Sequence, residues 1–363
     1  MPRKTMLDYV RETPQVLNGQ IAQDMARPLA DAFLGSSYDR VRIVACGSSK
    51  NAAMIARPYL RRALGREVIV TEPYTFCAYE HELPASEFTF VVSQSGYSTN
   101  ALAALDLIRS FGRKALGVTG DANSDFRQAA DALFDYGVGN EEVGYVTKGV
   151  TSLVIFLWLF GIDVALGEGR LSTEERSREI AKIEALVPRY MSVLEQAPLV
   201  LEHRYKELSS MERTFLIGAG TNYGISCEGA LKFGECLQIP AIPLELEEYL
   251  HGPNLQLAPT YTVFVNAVGA SDRARAREIV EATRLVTDHV FVLTDDRGFE
   301  GATVTVDPLE SSLLAPLSLL PFYQVLAYQL TEDKHLWHKH PLVARFDRRL
   351  SGKSDNYVDK EVL

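Results

Sequence analysis

Two stretches of this chain read as copies of one another, and that duplication constrains the fold more than any other feature. RVRIVACGSSKNAAMIARPYLRRAL begins at Arg40, and RTFLIGAGTNYGISCEGALKFGECL begins at Arg213. Each has a short apolar run, a turn of Gly, Ser, Thr or Asn, and a long helical pattern with small residues on one face. Gly47 corresponds to Gly220, an offset of 173 residues (220 − 47). Solenoid units run only about 20–50 residues, so this offset marks a duplicated domain. Further strands are predicted at 88–92, 115–119 and 132–136 in the first half, and at 262–266, 290–294 and 303–306 in the second. Helical patterns separate most of them. The expectation is an α/β fold of two tandem domains, each a parallel sheet flanked by helices in a three-layer sandwich.

A charged amphipathic segment, LSTEERSREIAKIEALVPRYMSVLEQ, lies between the halves, and Ser172 and Glu175 give it a capping-box start. The expected order is a helical opening segment (1–30), a first domain (31–170), a linker helix (171–200), a second domain (201–345) and a tail (346–363). The apolar run from Val150 to Leu166 is short for a membrane span and is broken by Thr151, Ser152, Gly161 and Asp163, so it reads as a core helix. The opening MPRKTMLDYV has no apolar signal core, and the expected location is cytoplasmic, with no membrane partner. Net charge is −10, which argues against a nucleic-acid partner. Cys46, Cys77, Cys227 and Cys236 form no CxxC pair and no metal-ligand spacing, so they are expected to be reduced, with no metal bound and no cofactor.

The chemistry begins at VVSQSGYSTNALAAL, from Val91. A strand runs into Ser93-Gln94-Ser95-Gly96, then Ser98 and Thr99, and a helix follows. Backbone N–H groups of such a turn and of the helix start carry partial positive charge and can cradle an anion. The hydroxyls of Ser93, Ser95 and Ser98 add donors. No Lys or Arg is present, which argues against a nucleoside triphosphate loop. Alone, the segment reads equally well as a Ser-rich turn with ordinary helix capping. The turn Cys46-Gly47-Ser48-Ser49 also follows a strand, and ligands of open parallel sheets bind beyond the strands' carboxyl ends. Two such turns meeting at one crevice favour the anion site. The second half offers VNAVGASD from Val265, with fewer hydroxyls.

In the second half, EGALKFGECLQIPAIPLELEEYLHGP brings Lys232, Glu235 and His251 into one stretch. Moving a proton between C1 and C2 of a sugar needs a carboxylate base, and opening its ring needs an acid/base near neutral pH. Glu235 lies on a mostly apolar helix, where desolvation would raise its pKa. His251 precedes Gly252-Pro253, so a rigid turn is expected. The bland readings are a surface carboxylate, a hydrogen-bonded loop histidine and a lysine that snorkels. The acidic run Glu245, Glu247 and Glu248 reads as a solvated face, with recognition of an amino substrate the alternative. His335, His338 and His340 lack a completing carboxylate or cysteine set and read as a helix end.

These motifs together resemble the sugar isomerase (SIS) superfamily, closest to the isomerase part of glucosamine-6-phosphate synthase and to the fructosamine-6-phosphate deglycases. The resemblance rests on MLDYVRETP near the start, CGSS at Cys46, SQSGYS at Ser93, Thr147-Lys148, CEGALKFGE at Cys227 and HGP at His251. It implies that Ser49, Ser93, Gln94, Ser95 and Ser98 hold a sugar phosphate, with Gly47, Ser48, Lys232 and Tyr145 near the substrate. It implies Glu235 and His251 as catalytic groups. It also implies a C-terminal lysine reaching the site, for which Lys353 in RLSGKS is the best match, although the spacing is off by about one residue. A homodimer with shared sites is implied too, the histidine loop crossing from the neighbouring subunit. The synthase's glutamine-hydrolysing domain has no counterpart, so no glutaminase activity is expected.

Two departures bear on substrate. Tyr97 stands where the synthase has an acidic residue, and Gly144-Tyr145-Val146 replaces a Val-Ala-Ser run and removes a hydroxyl. The phosphate cradle is kept while the sugar-facing parts differ. Three functions stay open: a fructosamine-type 6-phosphate deglycase, an aldose–ketose or amino-sugar phosphate isomerase or deaminase, and a non-catalytic phosphosugar-binding regulator. The last lacks a DNA-binding helix-turn-helix or a basic patch.

Overall fold

A computed structural model describes residues 4–269, 271, 273–338 and 340–358. The chain divides into two compact units. One holds Glu12–Ile180 with the C-terminal stretch after His338, and the other holds Ala181–His338 with Met6–Arg11.

The first unit is built on five parallel strands, β1 (Arg40–Val44), β2 (Glu67–Thr71), β3 (Glu87–Ser93), β4 (Leu116–Thr119) and β5 (Ala132–Asp135). Their order is β2-β1-β3-β4-β5. The chain leaves β1 toward β2 and then crosses back to place β3 on the other side, so strand order reverses between β1 and β3. That reversal opens a crevice at the strands' carboxyl ends, where Cys46–Ser49 and Ser93–Ser98 lie. Every residue of β3 is buried, as a parallel strand covered on both faces requires.

The second unit repeats this plan with β6 (Thr214–Ile217), β7 (Ala241–Leu244), β8 (Thr262–Ala267), β9 (Val290–Thr294) and β10 (Val304–Thr305). Their order is β10-β9-β8-β6-β7, all parallel. The duplication read from the sequence is therefore a duplication of sheet topology. Strands β2 and β7, which the sequence reading did not place, are edge strands.

The apolar segment forms the helix Lys148–Gly167, whose residues 148–165 are all buried. It is long and apolar enough to cross a membrane by composition, yet 94% of that window is buried within the protein, which makes it a core helix. Gly161 lets it close on Leu60 and Ala63 of the helix Gly47–Leu64. The segment expected as one linker helix forms two, Thr173–Glu184 and Leu186–His203. The capping box is present: Ser172 N–H donates to Glu175 Oε2 at 2.8 Å, and Glu175 N–H to Ser172 Oγ at 3.2 Å.

Candidate active site

Beyond β1 and β3 of the first unit lies a cleft of about 640 Å³. Ser48, Ser49, Ser93, Gln94, Ser95 and Ser98 all line it. Gly96 makes the turn. Its φ is +67°, and a Cβ there would fall 1.8 Å from Ser124 Oγ, so only glycine fits. Gly96 N–H donates to Ser93 Oγ at 3.2 Å and Tyr97 N–H to Ser95 Oγ at 3.3 Å, which fixes the hydroxyls around the turn. The helix Thr99–Ser110 follows directly and aims its N-terminus at the same place.

The C-terminal tail lies across this loop. Thr99 N–H donates to Gly352 O, Ser354 N–H to Tyr97 O, and Lys353 forms an isolated bridge with Ser98. Lys353 Nζ donates to Ser95 Oγ at 2.7 Å and to Ser98 Oγ at 3.2 Å. Burial pushes the Lys353 ammonium below its usual pKa. Lys353 thus supplies the positive charge that the serine loop itself lacks. Tyr97 and Tyr357 pack with ring centroids 5.7 Å apart, and Asn356 Nδ2 donates to Asp125 Oδ1 at 3.0 Å, pinning the tail.

Gln94 and Tyr145 also lie at this end of the first unit. Gln94 lines the cleft, but its amide is turned onto Gly149 and donates to Glu141. Tyr145 is buried, and its neighbours Gly144 and Val146 line the cleft instead. Gly47, at φ +58°, starts the helix behind Ser48.

Glu141 was not singled out from the sequence. Its carboxylate accepts from Thr147 N–H and Lys148 N–H, both at 2.8 Å, and from Gly149 N–H at 3.4 Å, closing the start of the helix Lys148–Gly167. Burial pushes its carboxyl up despite the Gln94 and backbone donors. The acid-acid pair six residues before Thr147 was the available signal, as a helix-capping carboxylate. Lys148 is itself buried and pairs with Glu12 at 3.5 Å.

The second unit's corresponding loop is closed from within. Ser93 pairs with Thr119 in the first sheet, and Ala267 with Thr294 in the second, so a hydroxyl is replaced by a methyl group. Gly269 N–H, in register with Ser95, donates to Asp295 Oδ1 at 3.1 Å, and Arg273 holds the same carboxylate. A protein carboxylate stands where an anion would enter. Ala270 and Asp272 of this loop lie outside the described residues.

Elsewhere in that unit, Glu235 lies on a single π-helical turn, Phe233–Leu237, that continues the helix Thr221–Lys232. Such turns widen a helix and gather at functional sites. Lys232 is fully buried, donates to Glu235 Oε2 at 2.6 Å and lies 3.4 Å from Glu228. Burial opposes its charge, but Glu228 and Glu235 outweigh that and hold the ammonium above its usual range. Lys232 does not snorkel; it orients Glu235, whose side chain is 31% exposed rather than sunk in an apolar face. His251 caps a 3₁₀ turn and precedes Gly252, at φ +124°. Its Nδ1 contacts Glu247 O at 2.7 Å, which assigns the proton to Nδ1 and leaves Nε2 as the basic nitrogen. Of the three C-terminal histidines, His340 caps the helix Pro341–Arg349 by accepting from Leu342 N–H.

Residues 36–162 match the SIS domain family. The first unit therefore carries a match to the SIS domain over most of its sheet, and the second unit repeats that sheet's strand order. It is 26% identical over 340 residues to the isomerizing glutamine–fructose-6-phosphate aminotransferase of Bradyrhizobium diazoefficiens, covering 90% of this chain and 55% of that protein. The chain thus spans about half the length of the curated relatives it matches. The C-terminal domain of glucosamine-fructose-6-phosphate aminotransferase from Francisella tularensis superposes with a TM-score of 0.83 at 19% identity, covering 94% of this chain and 99% of that one. Glucosamine-6-phosphate deaminase from Thermotoga maritima gives 0.67 at 22% identity, covering 88% and 95%. At these identities the structures show a common fold.

Proposed function

We propose that the chain is an enzyme acting at C1 and C2 of a 6-phosphorylated ketosamine, a fructosamine-type 6-phosphate deglycase. The observation that carries the phosphate end is Lys353 Nζ set among Ser95 and Ser98 in an open cleft. A phosphate entering there would exchange neutral hydroxyl partners for charge-assisted bonds. The carbonyl end is assigned to Glu235, held by Lys232, and to His251 with its free Nε2. His251 would open the sugar ring. Glu235 would take a proton from C1 of the amino-ketose and return it to C2. The C1–N bond becomes an imine, and water then releases the amine and an aldose 6-phosphate.

The isomerase or deaminase alternative uses the same groups and ends before, or differs after, the imine. The deglycase is favoured because Val146 and Tyr97 alter the sugar-facing side while the phosphate loop is kept. A regulator without turnover would have no use for the buried lysine that orients Glu235. Incubating the protein with a fructosamine 6-phosphate in deuterated water tests the shared proton-transfer step. Deuterium at C1 or C2, detected by NMR, is expected; complete retention of protium would overturn the reading.

The reading includes a cytoplasmic homodimer in which the histidine loop serves the neighbouring copy's phosphate cleft, giving two equivalent shared sites. A Ser93→Ala/Ser95→Ala chain mixed with a His251→Ala chain should then regain activity on subunit exchange, because one of the two sites in each heterodimer is whole. Proven heterodimers without activity would rule out sharing.

A further inference from the structure

At the end of the first sheet opposite the serine loop lies a second cavity, of about 340 Å³. Glu87 and Thr89, at the start of β3, line it together with Tyr38, Leu83, Arg113 and Lys114. All its lining residues belong to the first unit, and none of them lines the serine cleft.

The cavity has buried acceptors and a cationic mouth. The Glu87 side chain is fully buried, and a carboxylate is sunk that far only when paired. Arg42 Nε donates to Glu87 Oε1 at 2.8 Å, and Arg40 Nε lies 3.2 Å from Oε2. Thr89, 8% exposed, donates its hydroxyl to Glu87 Oε1 at 3.0 Å. Among the described residues no group donates back to Thr89 Oγ1, so its lone pairs are open to a ligand's hydroxyl. Arg40 and Arg42 are offset by Glu87 and by Glu80, 3.1 Å from Arg42. Arg113 and Lys114 are not offset: among the described residues neither has an ion-pair partner, and Arg113 reaches only the carbonyls of Pro84 and Ala85, at 3.4 and 3.5 Å. Asp131 feels the charge of Lys114 but is itself held by Arg109 at 3.1 Å. In a chain of net charge −10, two adjacent cations of this kind at a cavity mouth select for an anion.

We infer that this cavity is a second ligand site, for a hydroxylated organic anion about the size of a monosaccharide. Its anionic group pairs with Arg113 and Lys114, and its hydroxyls donate to Thr89 Oγ1 and the Glu87 carboxylate. The inference goes beyond the reaction proposed for the serine cleft and does not depend on it. An occupant would touch β3 at Glu87 and Thr89 and the helix Thr99–Ser110 at Ile108. Both elements run from this cavity to the serine loop, which gives the ligand the position of an effector.

Calorimetry of the full-length chain with D-gluconate and, separately, with glycerol 3-phosphate tests this, one probe offering a carboxylate and the other a phosphate. At least one is expected to bind saturably at millimolar concentration, and which one binds identifies the anionic group. Arg113→Ala/Lys114→Ala should weaken that binding about tenfold or more. Leu83→Trp, which fills the cavity, should weaken it too. Arg113→Lys/Lys114→Arg should retain it, a rescue that misfolding cannot produce, and Ser93→Ala/Ser95→Ala should leave it unchanged. Absence of saturable binding by both probes, or equal binding by Arg113→Ala/Lys114→Ala, would overturn the site. Binding lost in Ser93→Ala/Ser95→Ala would place the probe in the serine cleft and overturn it as well.

Discussion

Glu235→Gln is expected to abolish turnover while leaving phosphosugar affinity nearly unchanged. Glu235 Oε2 accepts from the buried Lys232 at 2.6 Å, so the side chain is aimed before substrate arrives. Glutamine keeps the shape and can still present its amide oxygen to Lys232, but it cannot take the C1 proton. General acid–base groups contribute about 10²–10⁴-fold, and a loss of that size in kcat is expected in steady-state assays. A variant keeping more than half the kcat would refute the assignment.

The second large effect is on binding. Ser93→Ala/Ser95→Ala removes two hydroxyls of the cradle, one of them the nearest partner of Lys353 Nζ. Each hydrogen bond to a charged group is worth about 1.5–3 kcal/mol, so together they should weaken phosphosugar binding by several kcal/mol at most. Calorimetry should show that loss. Unchanged affinity in the double alanine variant would count against the first unit's site.

The sequence makes the core strands legible for a physical reason. Strands β3 and β8 are buried along their whole length, and apolar residues dominate their middles, Phe88, Phe90, Val91 and Val92 in the one and Val263, Phe264 and Val265 in the other. Of the two edge strands left out, β7 carries Pro243, which weakens the strand pattern, and β2 follows directly on the helix Gly47–Leu64 after a single turn. The serine loop is legible because its parts are contiguous: strand, hydroxyls, glycine and helix follow within a few residues.

Contacts made over long separations are not readable that way. Lys353 meets Ser95 across 258 positions, and its role could be drawn only from resemblance. Glu141 clamps Gln94 across 47 positions, and the acidic pair Glu141-Glu142 points to a helix cap rather than to that contact. The π turn at Phe233–Leu237 shifts the helix hydrogen bonds without leaving a mark in composition, so Glu235 was expected on a regular helix. Burial of Lys232 beside two carboxylates likewise depends on which helix face the sheet covers.

The most direct measurement is product analysis on a panel of amino-ketose 6-phosphates that differ in the amine. The account predicts release of free amine and aldose 6-phosphate in equal amounts, abolished by Glu235→Gln. Interconversion of ketose and aldose phosphates with no amine released from any member of the panel would contradict it.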